Sequence, residues 1–469
     1  VMKRTLAEIA VMAGGTLTDE SSGSLMAQGV SKDTRTLAPG NLYIPLIGEA
    51  FDGHRFVEAA SRQGAVGSFW QQDRPDAPEG VPLILVDDTL AALQRLAVNY
   101  KRQLHVRIVG ITGSNGKTTT KDMTAAVLQT SFRVHKTGGN YNNHIGLPLT
   151  LLQLSEDTEI AVLEMGMSGR GEIEFLSRLA EPEIAVITNI GEAHLLQLGT
   201  RQEIARAKTE ILAGLLPGGT LVYNGDEPLI EEVLPELSEP GRMQAPSYGR
   251  VRFGHGAEND LYPSDIRMDA KGTHYRIHEA GARDFYIPLL GAHNVVNSLA
   301  AYAVGRHFGL DAETIARGLA GAAVTGMRIE VMHAPSGLTI FNDAYNASPT
   351  AMRAAIALLH EAEGFERKFA VLGDMLELGE NEAAFHREVG EMLDPAKVEA
   401  VFVYGPLAVH IAEGARTRFP DNRVRHFEDK EQLAHELGRT AGAHDVVLIK
   451  GSRGMRMEQV AAWVMQLGG

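Results

Sequence analysis

The segment 112–120 reads TGSNGKTTT, with an apolar run at 106–111 before it and a stretch of helical character after it. Strand, glycine-rich loop and helix in that order make a phosphate-binding loop, and they commit this part of the chain to a layered α/β sheet. The residue types follow from the chemistry. Gly113 and Gly116 let backbone N–H groups turn toward an anion with no Cβ in the way, and the helix that follows directs its positive end at the same point. Lys117 then reaches the terminal phosphates of a nucleoside triphosphate, Thr118 offers a hydroxyl to Mg²⁺, and Ser114, Asn115 and Thr119 complete the cradle. The longer spacing G-x-x-x-x-G-K-[ST] needs glycine where this chain has Ile111, so the match is to the shorter form TGxxGKT.

A chain of 469 residues exceeds what one core organises and implies about three domains. With 44% hydrophobic and 22% charged residues it has the composition of an ordinary soluble globular protein. The net charge of -15 argues against nucleic-acid partners, whose nonspecific binding rests on phosphate neutralisation. There is no cysteine, which excludes disulfides, thiolate zinc sites and cysteine nucleophiles and fits a cytoplasmic location. The first fifteen residues carry Glu8 inside an apolar stretch and read as a short amphipathic helix, not a secretory signal. No apolar run approaches the roughly 18 residues of a membrane span, so membrane insertion is not expected.

Extended runs at 41–47, 65–70 and 81–86 and a helical stretch at 89–100 describe a small N-terminal α/β domain, 1–104. From 106 onward, apolar strands at 106–111, 160–163, 184–190 and 220–223 alternate with helices, which predicts a central parallel-sheet nucleotide-binding domain, 105–326. Alternating residues between 250 and 289, clearest at 273–278, predict an antiparallel addition, and a helix at 294–308 closes the domain. Strands at 338–341, 369–372, 398–404, 423–427 and 445–449 predict a C-terminal Rossmann-like domain, 327–469, with no dinucleotide fingerprint.

In open α/β sheets, residues at the carboxyl ends of strands face the ligand crevice. Glu164 follows the strand IAVL, and His194 lies four residues beyond IAVITNI. A carboxylate and a neutral imidazole are able to hold a divalent cation that bridges phosphate oxygens. Each also reads as an ordinary capping carboxylate or loop histidine. Lys208, in the amphipathic IARAKTEIL, reads by spacing alone as a solvated or paired helix lysine.

The set TGSNGKTTT from Thr112, GNYNNHIGLPLTLL from Gly139, LEMGM from Leu163, GEAHL from Gly191 and AKTEI from Ala207 resembles the Mur ligases, ATP-dependent amide-forming enzymes of bacterial cell-wall precursor synthesis. FNDAYNASPTAMRAA from Phe341, LGDMLELG from Leu372 and KGSRGMRME from Lys450 resemble the dipeptide-adding member, so the motifs span all three regions. The chain departs from the pattern at His144, where many members carry an acidic residue. The resemblance implies that ATP drives attachment of D-Ala-D-Ala to UDP-N-acetylmuramoyl-tripeptide by a monomeric enzyme.

By position it implies that Thr118 and Glu164 hold one Mg²⁺, that His194 helps hold a second, and that Lys208 is carbamylated. It implies Asn297 at adenine and Arg328 and Asp343 at the nucleotide across a domain cleft, with Lys117, His194, Lys208 and Arg328 serving catalysis. For the substrates it implies Ser31, Thr34, Arg35, Gly48 and His54 around the uridine diphosphate, and Asn142, Asn143, Tyr345 and Asn346 nearer the reacting groups. Three other activities stay open here: a sister ligase adding one amino acid, a folylpolyglutamate synthase, and a regulatory ATPase. SKDTR from Ser31 and NDAYNASPT from Asn342 speak against the folate enzyme.

Overall fold

The computed structural model describes residues 1–49, 51–238, 247–269, 271–281, 283–323 and 329–466. The central sheet has six strands in the order Gly249–Phe253, Thr220–Asn224, Ile184–Ile187, Arg107–Thr112, Ile160–Glu164, Val134–Lys136, and every neighbouring pair is parallel. Its side chains alternate between two cores: Ala161, Leu163, Ala185 and Ile187 fill one, and Ile160, Val162, Ile184 and Val186 the other. Both faces are therefore apolar, as a parallel sheet covered on both sides requires. From Arg107–Thr112 the chain runs out to Val134–Lys136, returns to Ile160–Glu164, and then crosses to Ile184–Ile187 on the other flank. That switch of direction opens a crevice above the phosphate loop. The strand expected over 184–190 stops at Ile187, because Thr188 and Asn189 turn to hydrogen-bond the loop instead.

The antiparallel addition is present as Pro263–Met268, Thr273–Ile277 and Asp284–Ile287, but Gly249–Phe253 from the same stretch joins the parallel sheet. Helix Ala292–His307 is followed by a further helix, Ala312–Ala320.

The N-terminal sheet has five short strands in the order Thr16–Leu17, Leu83–Val86, Gly67–Gln71, Leu42–Tyr43, Val30–Ser31. The extended run expected over 41–47 shrinks to Leu42–Tyr43, since Pro45 has no N–H to continue the ladder. The amino-terminal helix is Leu6–Ala13, and Glu8 accepts the Thr5 N–H at 2.8 Å in a reciprocal cap. Helix Thr89–Arg102 binds this domain to the central one. Its Leu93, Leu96 and Ala97 share a single core with Leu147 and Leu151 of helix Gly146–Leu152. At its end the buried Lys101 donates to the carbonyls of Leu179 and Ala180 at 3.1 and 2.8 Å, closing helix Glu172–Ala180.

The C-terminal sheet runs Glu330–His333, Thr339–Asp343, Val446–Lys450, Lys368–Gly373, Ala400–Tyr404, Val424–Phe427, parallel except for its first pair. The edge strand Glu330–His333 escapes the pattern reading because it is mostly exposed and mixes charged with apolar residues. This domain has its own cores on the two faces of its sheet. Among the described residues, the central domain adds only Met268 and Leu290 to them. No described helix is long and apolar enough to cross a membrane.

Candidate functional site

A cavity of about 370 Å³ lies between the central and C-terminal domains. Ser114 to Thr119, Asn142, Glu164 and Asn297 line it from one side and Asp343, Tyr345, Asn346 and Lys450 from the other. The loop geometry explains its glycines. Gly113 has φ +146°, and a Cβ there would stand 1.9 Å from Thr188 Oγ1; Gly116 has φ +80°, and its Cβ would meet Asn297 Oδ1 at 2.6 Å. Gly116 caps helix Lys117–Gln129, whose N-terminus points into the cavity's wall of loop amides. Asn115 donates its N–H to Asn189 Oδ1 at 2.9 Å and accepts from Thr188 Oγ1 at 2.5 Å, which pins the loop to the neighbouring strand's end. Lys117 Nζ donates to the carbonyl of Gly113 at 2.9 Å.

Glu164 is the last residue of its strand, registered beside Ile111. The Thr118 hydroxyl donates to its Oε2 at 2.9 Å and Asn142 Nδ2 to its Oε1 at 2.9 Å. A hydroxyl and a carboxylate in contact at the foot of a phosphate loop are hard oxygen donors of the kind Mg²⁺ takes alongside phosphate. Opposite them, Asp343 and Lys450 end adjacent strands in register and pair at 2.7 Å, and Lys450 Nζ also donates to the Asn346 carbonyl at 2.8 Å. Tyr345 is exposed, with the Arg453 guanidinium 5.3 Å from its ring centre.

Comparison with known proteins decides the family. Three family models match in chain order: Mur ligase family, catalytic domain, over residues 27–101; Mur ligase middle domain over 111–305; and Mur ligase, glutamate ligase domain, over 327–453. The chain belongs to the Mur ligase family. It is 50% identical over 460 residues to the UDP-N-acetylmuramoyl-tripeptide--D-alanyl-D-alanine ligase of Bacillus subtilis, covering 98% of each chain. Among solved structures it resembles MurF from Acinetobacter baumannii, with TM-score 0.88, 28% identity and 99% of each chain covered. It also resembles MurF from Thermotoga maritima in complex with ADP, with TM-score 0.81, 30% identity and coverage of 94% and 98%.

In this Mur ligase, Lys208 is not the solvated helix lysine its spacing suggests. It is 1% exposed, and its amine makes no hydrogen bond or ion pair among the described residues. Burial, followed by the charge of Lys117, holds it well below the usual lysine range. His194 has left-handed backbone, φ +71°, and its buried Nδ1 has no hydrogen-bond partner, the nearest carboxylate oxygen being on Glu377 at 3.8 Å. Burial first, then Lys208 and Lys117, pushes its pKa down to about 4, so the ring is neutral at pH 7 and free to donate a lone pair. The described residues contain no group of three His, Cys, Asp or Glu arranged around a common metal position. Arg328 lies outside the described residues.

The N-terminal residues do not line the nucleotide cavity. Arg35 is exposed and forks onto Asp33, whose carboxyl that guanidinium holds down at about 2. The Ser31 hydroxyl donates to the Asp33 carbonyl at 2.9 Å, closing the turn that also carries Thr34. Gly48 sits against Phe51, whose ring a Cβ would meet at 2.6 Å. His54 is 4% exposed, edge-on to Trp70 and hydrogen-bonded to Asp52 at 2.9 Å, with burial lowering its pKa. Its Nε2 is buried without a partner, so it serves here as a packed ring with one polar atom unspent. Asn143 is occupied as a cap: its Oδ1 accepts the N–H groups of Ile145 and Gly146 at 3.1 and 2.9 Å.

Sequence reading missed Asp226, Glu227, His255 and His293 in the cavity wall. Asp226 and Glu227 follow strand Thr220–Asn224, so the carboxyl-end rule that found Glu164 reaches them too. His293 had a weaker signal, one turn before Asn297 on the same helix.

Proposed function

We propose that this chain joins D-Ala-D-Ala to the terminal carboxylate of UDP-N-acetylmuramoyl-tripeptide, forming ADP, phosphate and the pentapeptide precursor of peptidoglycan. The observation that carries the reading is the cavity in which the phosphate loop faces Asp343, Tyr345 and Asn346 of the other domain. End-to-end similarity to ligases of that name supports the substrates. We set the domain boundaries at 1–104, 105–326 and 327–469.

A carboxylate is a poor acyl donor because its oxygen is a bad leaving group. In the reaction we propose, a carboxylate oxygen of the tripeptide attacks the γ-phosphorus of ATP, the bond to the bridging oxygen breaks, and ADP departs. The neutral amine of D-Ala-D-Ala then adds to the acyl phosphate carbonyl, and the C–O bond breaks to release phosphate that keeps the carboxylate oxygen. Lys117 and the amides of the first turn of its helix, Thr119 among them, stabilise the charge that gathers on the γ-phosphoryl group, while the Ser114 and Asn115 amides stay bonded to Asn189 and hold the loop's shape; fixed donors in a dry cleft reorganise little at that moment. Asn297 holds the adenine end, and Arg328 and Asp343 meet the nucleotide from the C-terminal side.

Mg²⁺, when bound, neutralises phosphate charge; Thr118 and Glu164 would hold it, with His194 serving a second ion. We assign Lys208 to carbamylation, because burial lowers the pKa of its amine and so favours the unprotonated form that adds to CO₂ and loses a proton to give a carbamate anion. Ser31, Thr34, Arg35, Gly48 and His54 are assigned to the uridine diphosphate and Asn142 and Asn143 to the peptide.

The test is phosphate release with ATP, Mg²⁺ and the nucleotide-linked tripeptide, comparing D-Ala-D-Ala with D-Ala, D-Glu and L-amino acids and weighing the product. Release coupled to a dipeptide mass gain is the expected result. Turnover with a single amino acid alone would reassign the chain to a sister ligase.

A further inference from the structure

Glu192 lies in the loop that carries His194 and is 6% exposed. Its Oε2 accepts the Thr350 backbone N–H at 3.1 Å and the Thr350 hydroxyl at 2.5 Å. Both donors belong to the C-terminal domain, on the first turn of helix Pro349–Glu361. A buried carboxylate needs compensation, and a helix N-terminus supplies amide donors and partial positive charge. The helix does not need Glu192 in order to form, because Ser348 already caps it by accepting the Ala351 N–H at 3.3 Å. The contact is therefore one between domains, made at a helix end that is already closed.

A second contact reaches the same turn. Asn115 of the phosphate loop donates from Nδ2 to Ser348 Oγ at 3.4 Å. Gly191 marks the point where the segments converge: a Cβ there would stand 3.2 Å from Asn115 Nδ2 and 3.4 Å from Thr350 Oγ1.

We infer that Glu192 is a positioning residue for ligation, docking the C-terminal domain through Thr350 so that Asp343, Tyr345 and Asn346 face the phosphate loop. This rests on the ligase reading above. When the domains part, the carboxylate and the helix amides both return to water, so the contact is made and broken between two states of similar energy. A charge-assisted pair of this kind biases the docked state about ten- to hundredfold.

The chain has no cysteine, so a pair introduced at exposed Ser131 and Glu428 allows energy transfer between the two domains of the full-length protein. In Glu192→Ala, the docked fraction with ATP and kcat should fall together, about ten- to hundredfold, while the ATP Kd stays within about threefold because the phosphate loop is untouched. Glu192→Gln keeps an acceptor oxygen and should recover part of both. Adding Thr350→Val to Glu192→Ala should cause no further loss, since the hydroxyl acts through the carboxylate. Wild-type dye distance and kcat in Glu192→Ala would overturn the inference, as would losses that multiply in the double variant. If Glu192→Ala does not fold, Thr350→Val alone, which keeps the backbone amide, must still lower the docked fraction, and an unchanged distance would refute the claim. Wild-type protein that forms no amide with any acceptor defeats the ligase reading separately, and the dye distances still decide the docking claim.

Discussion

Helix Thr89–Arg102 meets helix Gly146–Leu152 through Leu93, Leu96, Leu147 and Leu151, all fully buried in one continuous core. The C-terminal domain meets the central one through Glu192 with Thr350, Asn115 with Ser348, and the Leu196 N–H donating to the Glu377 carbonyl at 3.3 Å, with Met268 and Leu290 only partly buried against its core. Each buried leucine contributes about 1.5–3 kcal/mol that is lost if the first joint parts. Each hydrogen bond at the second contributes a net of about 1 kcal/mol, because water replaces the partner. The difference predicts which joint moves: the N-terminal and central domains should act as one body, and opening and closing should belong to the cleft that holds the phosphate loop. Closure there would exclude water and protect an acyl phosphate from hydrolysis.

The sharpest way to break this comparison is Leu147→Asp. A charge in the shared core should cost about 5 kcal/mol and unfold the N-terminal and central domains together. Calorimetry should then show the C-terminal transition alone. Two separate losses, one per domain, would mean the first joint is not a single body.

At the polar joint, chemistry and stability should separate. Lys117→Ala removes the charge proposed to meet the terminal phosphates and should lower turnover about 10²–10³-fold, with a change in stability within about 0.5 kcal/mol. Rapid-quench assays and thermal melts on one preparation check both halves.

His194 sits beside that cleft as a neutral ring. Protonation is disfavoured in the fold, with a pKa of about 4, so the unfolded chain takes up the proton first, near pH 6.5. Its contribution is fully present above pH 6.5 and is lost as pH falls toward 4, by about 3 kcal/mol. Denaturant midpoints for wild type and His194→Gln should diverge across that window and run parallel above it.

Arg35 belongs to neither joint. Arg35→Ala should leave stability unchanged, as expected for an exposed ion pair, and raise the KM for the uridine-linked substrate about tenfold. Unchanged KM would remove Arg35 from the pyrophosphate site.

How far the sequence was legible follows from what each feature depends on. Glu164 and the phosphate loop were readable because strand ends and glycine spacing are local signals. The two-residue strands Thr16–Leu17 and Val30–Ser31 were not, since so short a segment shows no alternation. By spacing alone Lys208 read as a surface lysine, because its burial is set by elements far away in sequence; only the family resemblance pointed to a functional role. The bonds from the Ile145 and Gly146 N–H groups that engage Asn143 Oδ1 were not legible either, since GNYNNHIG alone does not show which way that side chain turns. Glu192 drew no notice because its partner, Thr350, is 158 residues away.

The central claim is ligation through an acyl phosphate in the closed cleft, and oxygen transfer tests it most directly. UDP-N-acetylmuramoyl-tripeptide labelled with ¹⁸O in its terminal carboxylate is turned over with ATP, Mg²⁺ and D-Ala-D-Ala, and the released phosphate is weighed. The account predicts one ¹⁸O atom in each phosphate, formed in step with the pentapeptide product. Phosphate carrying only solvent oxygen, released whether or not the dipeptide is present, would contradict it.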